Sequence, residues 1–156
     1  MIVCATGVYE KTECEFFDGL LLENITLFID IRQRRGMRGK KYSFVNSKYL
    51  QEKLKEIGIK YLYIKDLAPT SDMRQLQQVQ DGNKNIKKSL RTELDSNFVE
   101  AYNKYILDNF NYNEVLELTE REKIVFFCVE KNCKACHRSL LLKKLKEGFN
   151  INGYCF

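Results

Sequence analysis

The chain has 156 residues, of which 44% are hydrophobic and 30% are charged, and its formal net charge at pH 7 is +5. This length allows one domain with a sizeable apolar core, and the hydrophobic fraction excludes an intrinsically disordered protein. No stretch approaches the roughly 18 consecutive apolar residues of a membrane helix, and the first residues, MIVCATGVYE, lack the basic start of a signal peptide. We therefore expect a single domain over residues 1–156, located in the cytoplasm, with six reduced cysteines and no membrane partner.

The first half of the chain predicts three strands that alternate with two helices. The strands are expected at residues 2–6, 26–31 and 60–64. The strand at 2–6 is expected to be a first or an edge strand. Thr12 and Glu15 have the spacing of a capping box, which predicts a helix over about 13–23. Ser47 can cap a second helix, and Gly58 can end it.

The second half predicts further helices and two more strands. Residues 70–94 are polar and predict one or two short helices with loop, and Asp95 or Ser96 can cap a long helix through Ile106. Two more helices are expected, at 112–118 and at about 136–147, and Gly148 follows the second. Two strands are expected, at 123–129 and near 150–155. The run at 123–129 is the most apolar and predicts a central strand. Strands and helices alternate almost throughout, which predicts a three-layer α/β fold, with a mainly parallel sheet and helices on both faces.

Three segments that carry chemically informative residues follow directly from predicted strands. They are TGVYEK at 6–11, the stretch at 30–44, and the stretch that begins at Cys128. Ligands of open parallel sheets bind beyond the carboxyl ends of the strands. If the strands are parallel neighbours, all three segments meet at one edge, where Gly7 and Tyr9 are candidate binding residues.

The second segment is unusually basic. Its cationic residues are Arg32, Arg34, Arg35, Arg38, Lys40 and Lys41. This pattern is typical of a loop that binds phosphate or nucleic acid, but it also fits a loop that keeps the edge solvated. Tyr42 and Phe44 can stack on bases or pack against the core. Asp30 and Arg32 point to the same side of a strand end, so they can pair within a site or serve structure alone.

The segment CVEKNCKACHRSLL, at residues 128–141, contains three cysteines and the only histidine. Zinc sites usually present two separated pairs of ligands on turns, and the spacing C-x4-C-x2-C-H does not fit that arrangement, so we expect no metal. Tyrosine-phosphatase-like loops need C-x5-R, whereas Cys133 and Arg138 are one residue too close.

A reactive thiol at a helix start is the third interpretation of this segment. Cys136 is expected at the beginning of a helix, where free N–H groups and Arg138 favour a thiolate or a bound anion. Glu130 and His137 can transfer protons. Since free cysteines are often buried in cores, an inert role for Cys128 and Cys136 fits equally well.

Taken together, these residues resemble a bacterial and archaeal family, the domain of unknown function 488 family. CVEKNCKACHRSLL resembles its signature C-x-E-x5-C-H-R-S, and LFIDIR resembles its strand ending in D-x-R. The resemblance implies a three-layer α/β fold, and it implies no activity. It places seven residues at family motif positions: Asp30, Arg32, Cys128, Glu130, Cys136, His137 and Arg138. Cys133 lies outside the signature. The family usually has a histidine after its first strand, where this chain has Gly7-Val8-Tyr9. The family also tends to have a proline after D-x-R, where this chain has an Arg-rich loop.

Three functions therefore stay open. The first is a pocket for a nucleotide or another phosphorylated small molecule, with Arg32 and Arg138 on the anion. In an enzyme of this kind, Cys136 is the candidate nucleophile, and Glu130, His137 and Asp30 are the candidate acid and base groups. The second is a nucleic-acid-binding module that uses the basic loop at 32–41, and the third is a partner-binding protein without chemistry. We expect no cofactor.

Overall fold

The computed structural model describes residues 1–156, apart from the side chain of Ser89. It contains five strands: β1 (Ile2–Thr6), β2 (Leu27–Asp30), β3 (Lys60–Tyr63), β4 (Ile124–Phe127) and β5 (Asn152–Cys155). They form one sheet in the order β3-β2-β4-β1-β5, and every neighbouring pair is parallel. The predicted central strand is β4, which is the middle strand of the sheet.

Six α-helices connect the strands. They are α1 (Glu13–Leu22), α2 (Ser47–Glu56), α3 (Ser71–Asn83), α4 (Ser96–Tyr102), α5 (Asn113–Thr119) and α6 (His137–Phe149). A π-helical segment, Asn103–Leu107, continues α4 directly, and the side chain of Asp95 caps α4 as the sequence predicts. The capping box of Thr12 and Glu15 at the start of α1 is also confirmed, with both hydrogen bonds present.

The helices cover the two faces of the sheet as two separate layers. Side chains alternate between faces along a strand, so neighbouring residues belong to different cores. Phe28 and Phe127 pack with Phe16 against α1 and α2, whereas Ile29 and Phe126 belong to the core beneath α3 to α6. The predicted three-layer α/β fold is therefore confirmed.

The order of the strands places the ends of β1, β2 and β4 side by side. The chain leaves β1, passes to β2 and β3, and then returns so that β4 lies between β2 and β1. The connections therefore diverge from the centre of the sheet, which is where α/β folds form a crevice beyond the strand ends.

Several local predictions are wrong, each for a physical reason. β1 is the first strand of the chain, as one alternative predicts, but it is not an edge strand, because β5 pairs along its outer side. The N-cap of α2 is Asn46, and Ser47 is already helical. Gly148 lies within α6, which ends where Asn150 adopts a left-handed backbone. Asn tolerates that conformation because its short polar side chain can hydrogen-bond locally.

The cysteines differ from the expectation of six free thiols. Cys133 and Cys155 form a disulfide between the turn before α6 and the end of β5, with their Cα atoms 6.4 Å apart. The thiols of Cys4, Cys14, Cys128 and Cys136 are free. Among the described helices, none combines the length and the apolar character needed to cross a bilayer.

The two candidate helix caps can be compared by mutation. Thr12→Ala removes a side-chain acceptor from the start of α1, and we expect it to lower the free energy of unfolding by about 1 kcal/mol. Ser47→Ala removes a hydroxyl that accepts an exposed hydrogen bond from Gln51 and caps no backbone group, so its effect should stay below about 0.5 kcal/mol. Urea denaturation measures both values. Equal losses would contradict the assignment of the α2 cap to Asn46.

Candidate functional site

A cavity of about 560 Å³ opens at the carboxyl edge of the sheet. Residues of all three sequence segments line it. Tyr9 follows β1, the lining residues after β2 include Arg32, Arg34 and Arg38, and those after β4 are Cys128, Val129, Glu130, Cys136 and His137. The convergence expected for a parallel sheet is thus present in this structure.

A fourth wall of the cavity comes from α3 and the residues that follow it. Its polar side chains are Arg74, Gln77, Gln78, Asp81, Lys88 and Arg91. None of these residues is among the site residues predicted from the sequence. The usable signal was the spacing of Arg74, Gln77 and Asp81, which places three polar side chains on one face of the helix.

The predicted site residues divide into those that line the cavity and those that do not. The lining residues among them are Tyr9, Arg32, Arg34, Arg38, Glu130, Cys136 and His137. The others are Gly7, Asp30, Arg35, Lys40, Lys41 and Arg138. Arg35 turns towards β3, where its guanidinium lies 4.1 Å from the ring centre of Tyr63. Lys40 and Lys41 are exposed.

Asp30 and Arg32 form a buried, bidentate ion pair at the end of β2. Arg32 Nε donates to Asp30 Oδ1 at 2.9 Å, and Nη2 donates to Oδ2 at 2.7 Å. The Tyr61 hydroxyl also donates to Asp30 Oδ2 at 2.9 Å. This carboxylate therefore fixes the Arg32 guanidinium over the ring of Phe127, and Arg32 Nη1 keeps no hydrogen-bond partner.

Glu130 is a buried carboxylate that contacts three different groups. Its Oε1 accepts a hydrogen bond from Arg91 at 3.3 Å and pairs with Lys88 at 3.4 Å. Its Oε2 lies 3.2 Å from Cys128 Sγ, which donates to it. Arg91 also pairs with Asp81 at 2.8 Å, so Glu130 joins the strand end to the α3 wall.

The turn after β1 lies very close to the chain after β4. The N–H groups of Val8 and Tyr9 both donate to the carbonyl oxygen of Val129 at 3.1 Å. A Cβ atom at Gly7 would overlap the carbonyl oxygen of Glu130 and would lie 3.2 Å from Arg138 Nη1. Gly7 thus supports the cavity by allowing this approach, and Arg138 supports it by donating to the Glu130 carbonyl.

Cys128, Cys136 and His137 form a buried cluster, in which their donor atoms all lie within 4.8 Å of one another. Cys136 Sγ is 3.6 Å from His137 Nδ1, and His137 Nε2 is 3.1 Å from the carbonyl oxygen of Ile31. A carbonyl oxygen only accepts hydrogen bonds, so Nε2 carries a proton, and Nδ1 is the ring nitrogen that faces Cys136. These three residues are the ones that could hold a metal ion.

The two buried thiols have opposite pKa shifts. The contact with Cys136, together with burial, raises the pKa of Cys128 well above its usual value. Burial raises the pKa of Cys136 as well, but the contact with Cys128 and the positive charge of Arg138 outweigh it, so the pKa lies well below its usual value. The pair can therefore present Cys136 as a thiolate beside a protonated Cys128, whose thiol donates to Glu130.

Comparison with known proteins gives one finding. The family model described as "Domain of unknown function DUF488" matches residues 14–145, which is most of the chain. No curated protein matches the sequence, and no solved structure does.

The close approach at Gly7 predicts a large cost for adding one methyl group. Gly7→Ala should lower the free energy of unfolding by about 3 kcal/mol, because the clash involves backbone atoms that cannot rotate away. Gly36→Ala is the matched control, since a Cβ there meets nothing within 4 Å and should cost less than about 0.5 kcal/mol. Urea denaturation compares the two variants, and similar values would contradict the tight contact between Gly7 and Glu130.

Proposed function

The chain belongs to the DUF488 family, a family without an assigned activity, and we propose that its cavity binds a nucleotide or another phosphorylated small molecule. We also propose a cytoplasmic location, as expected from the sequence. That expectation depended in part on six reduced cysteines, of which Cys133 and Cys155 are oxidised to a disulfide.

The charge of the cavity lining carries this proposal. Six of the lining side chains are cationic and two are acidic. The cationic residues are Arg32, Arg34, Arg38, Arg74, Lys88 and Arg91. Such an excess of one sign in a concave site concentrates anions, and the planar guanidinium matches phosphate geometry.

Arg32 Nη1 supports the same assignment. The atom is buried and unpaired, although the other two nitrogens of the guanidinium are held by Asp30. An unpaired buried donor costs about 1–3 kcal/mol, and a phosphate oxygen in the cavity would offset that cost. Arg32 is therefore the residue we expect to contact the ligand most directly.

We propose Glu130, Cys136 and His137 as the residues that act on a bound ligand, because all three line the cavity. Asp30 does not line it, and both of its carboxylate oxygens are occupied by Arg32 and Tyr61. We propose Asp30 as a positioning residue for Arg32 rather than as an acid or base. Arg138 has a comparable role behind Cys136 and Glu130.

A nucleic-acid-binding module is the second candidate, and the exposure of Arg34, Arg38, Lys40 and Lys41 favours it. The two aromatic residues of this region offer little surface to bases. The Tyr42 hydroxyl accepts a hydrogen bond from the backbone of Glu10, and Phe44 is buried in the core. Nucleic-acid binding would thus depend on phosphate contacts, including those of Lys40 and Lys41 outside the cavity.

Two double variants with the same charge change separate these functions. Arg34→Gln/Arg38→Gln removes two cations from the cavity lining, and Lys40→Gln/Lys41→Gln removes two from the same loop beyond it. We expect the first to weaken binding of ATP, AMP or pyrophosphate at least about tenfold, because charge-assisted hydrogen bonds to phosphate are lost. The second should change it less than about twofold. Calorimetric titration measures both.

Binding of single-stranded and duplex oligonucleotides to the same proteins tests the alternative. Affinity that falls steeply with salt and drops equally in both variants would favour the nucleic-acid module over the pocket. Phosphate compounds that bind neither the wild-type protein nor the lysine variant would overturn the proposed function.

A further inference from the structure

The geometry points to a second property of the cavity: we propose that Cys128, Cys136 and His137 bind one zinc ion, with an open coordination position facing the cavity. This inference goes beyond anion binding and does not depend on it. It also departs from the expectation of no metal, which followed from the linear spacing of the ligands.

The separations within the cluster suit a tetrahedral ion. Zinc binds sulfur at about 2.3 Å and nitrogen at about 2.0 Å, so a sulfur and a nitrogen ligand on one ion lie about 3.5 Å apart. Cys136 Sγ and His137 Nδ1 are 3.6 Å apart, and all three donor atoms lie within 4.8 Å of one another. The cluster would have to contract by no more than about 1.3 Å for the three atoms to occupy three corners of a tetrahedron.

The backbone explains how two adjacent residues reach one point. Cys136 is the N-cap of α6 and has an extended backbone, with φ −138° and ψ 147°, whereas His137 is the first helical residue. This change of conformation lets the two side chains turn to the same side, and Cys128 reaches them from the end of β4. Within a regular helix, neighbouring side chains would diverge by about 100°.

The surroundings of His137 match those of a metal ligand. Histidines that bind metals usually donate the other ring N–H to a carbonyl or a carboxylate, which fixes the tautomer and directs the lone pair at the ion. His137 Nε2 donates to the Ile31 carbonyl at 3.1 Å, and Nδ1 faces Cys136 Sγ. The ring is therefore oriented before any ion arrives.

The donor set selects the class of metal and the type of site. Thiolate and imidazole favour a thiophilic ion such as Zn²⁺ over Mg²⁺ or Ca²⁺. Cys133 is bonded to Cys155 and supplies no fourth ligand. All three ligands line the cavity. Zinc sites with three protein ligands usually keep the fourth coordination position for water or substrate. A bound ion would make Cys136 a ligand rather than a nucleophile, and it would supply a Lewis acid beside the cationic wall.

Metal binding is tested on chelator-treated full-length protein in buffer without phosphate or nucleotide, so that the result is independent of the proposed anion site. We expect one Zn²⁺ per chain in a competition titration with a chromophoric chelator. Co²⁺ should give thiolate charge-transfer absorption and tetrahedral ligand-field bands. Cys128→Ser, Cys136→Ser and His137→Gln should each weaken binding by about 100-fold or more, whereas the exposed thiol lost in Cys14→Ser should leave it unchanged.

A second measurement needs no variant and so avoids any failure to fold. Zn²⁺ should slow alkylation of Cys128 and Cys136 by iodoacetamide in the wild-type protein, as mapped by mass spectrometry, but not that of Cys14. No slowing, or equal slowing at all three cysteines, would overturn the proposal. So would Zn²⁺ binding that persists undiminished in Cys128→Ser and His137→Gln.

Discussion

The hydrogen bond from the His137 ring to the Ile31 carbonyl joins the two chain segments on which the cavity depends. Ile31 follows β2 and His137 begins α6, so the bond links residues 106 positions apart in the chain. It links the turn before α6, which contains Cys136, to the basic loop at 32–41. The same bond directs Nδ1 of His137 towards Cys136. Without this contact, the adjacency of β2 and β4 would still bring the segments close, but it would not fix the orientation of their side chains.

Two buried arginines show how the strand ends tolerate charge. Arg32 and Arg138 are 3% and 1% exposed, and each retains one nitrogen without a partner, Nη1 in Arg32 and Nε in Arg138. Asp30 compensates Arg32 through two hydrogen bonds, whereas Arg138 donates to the Glu130 carbonyl and lies near Cys136. Burial of such groups is costly unless they are paired, and of the two only Arg32 lines the cavity, where the proposed anionic ligand would pair with it.

Much of the fold could be predicted from sequence because the strands are apolar and the helix starts carry caps. The parallel arrangement then implied that Tyr9, Arg32 and Cys136 follow neighbouring strand ends. The α3 wall could not be predicted in the same way, since Gln77 and Asp81 face a polar cavity and leave no apolar periodicity. Nor does the linear spacing of Cys133 and Cys155 reveal that a turn and a strand end meet in space. The linear spacing of Cys136 and His137 predicts no shared metal ion. Their side chains lie close together because the backbone changes conformation between the two residues, which the spacing does not reveal.

The two sides of the cavity are attached to the protein in different ways. One side consists of strand ends, where a change such as a methyl group at Gly7 disturbs the sheet itself. The other belongs to a stretch inserted between β3 and β4, and it meets the first side through the contacts of Lys88 and Arg91 with Glu130 and of Arg91 with the Ala135 carbonyl. Substitutions of its cavity-facing side chains, such as Lys88 and Arg91, can therefore alter the charge of the cavity, whereas its apolar residues, such as Phe98, pack on the sheet. The fold thus lets one wall of the cavity vary in charge while the strand ends keep Cys128, Cys136 and His137 close together.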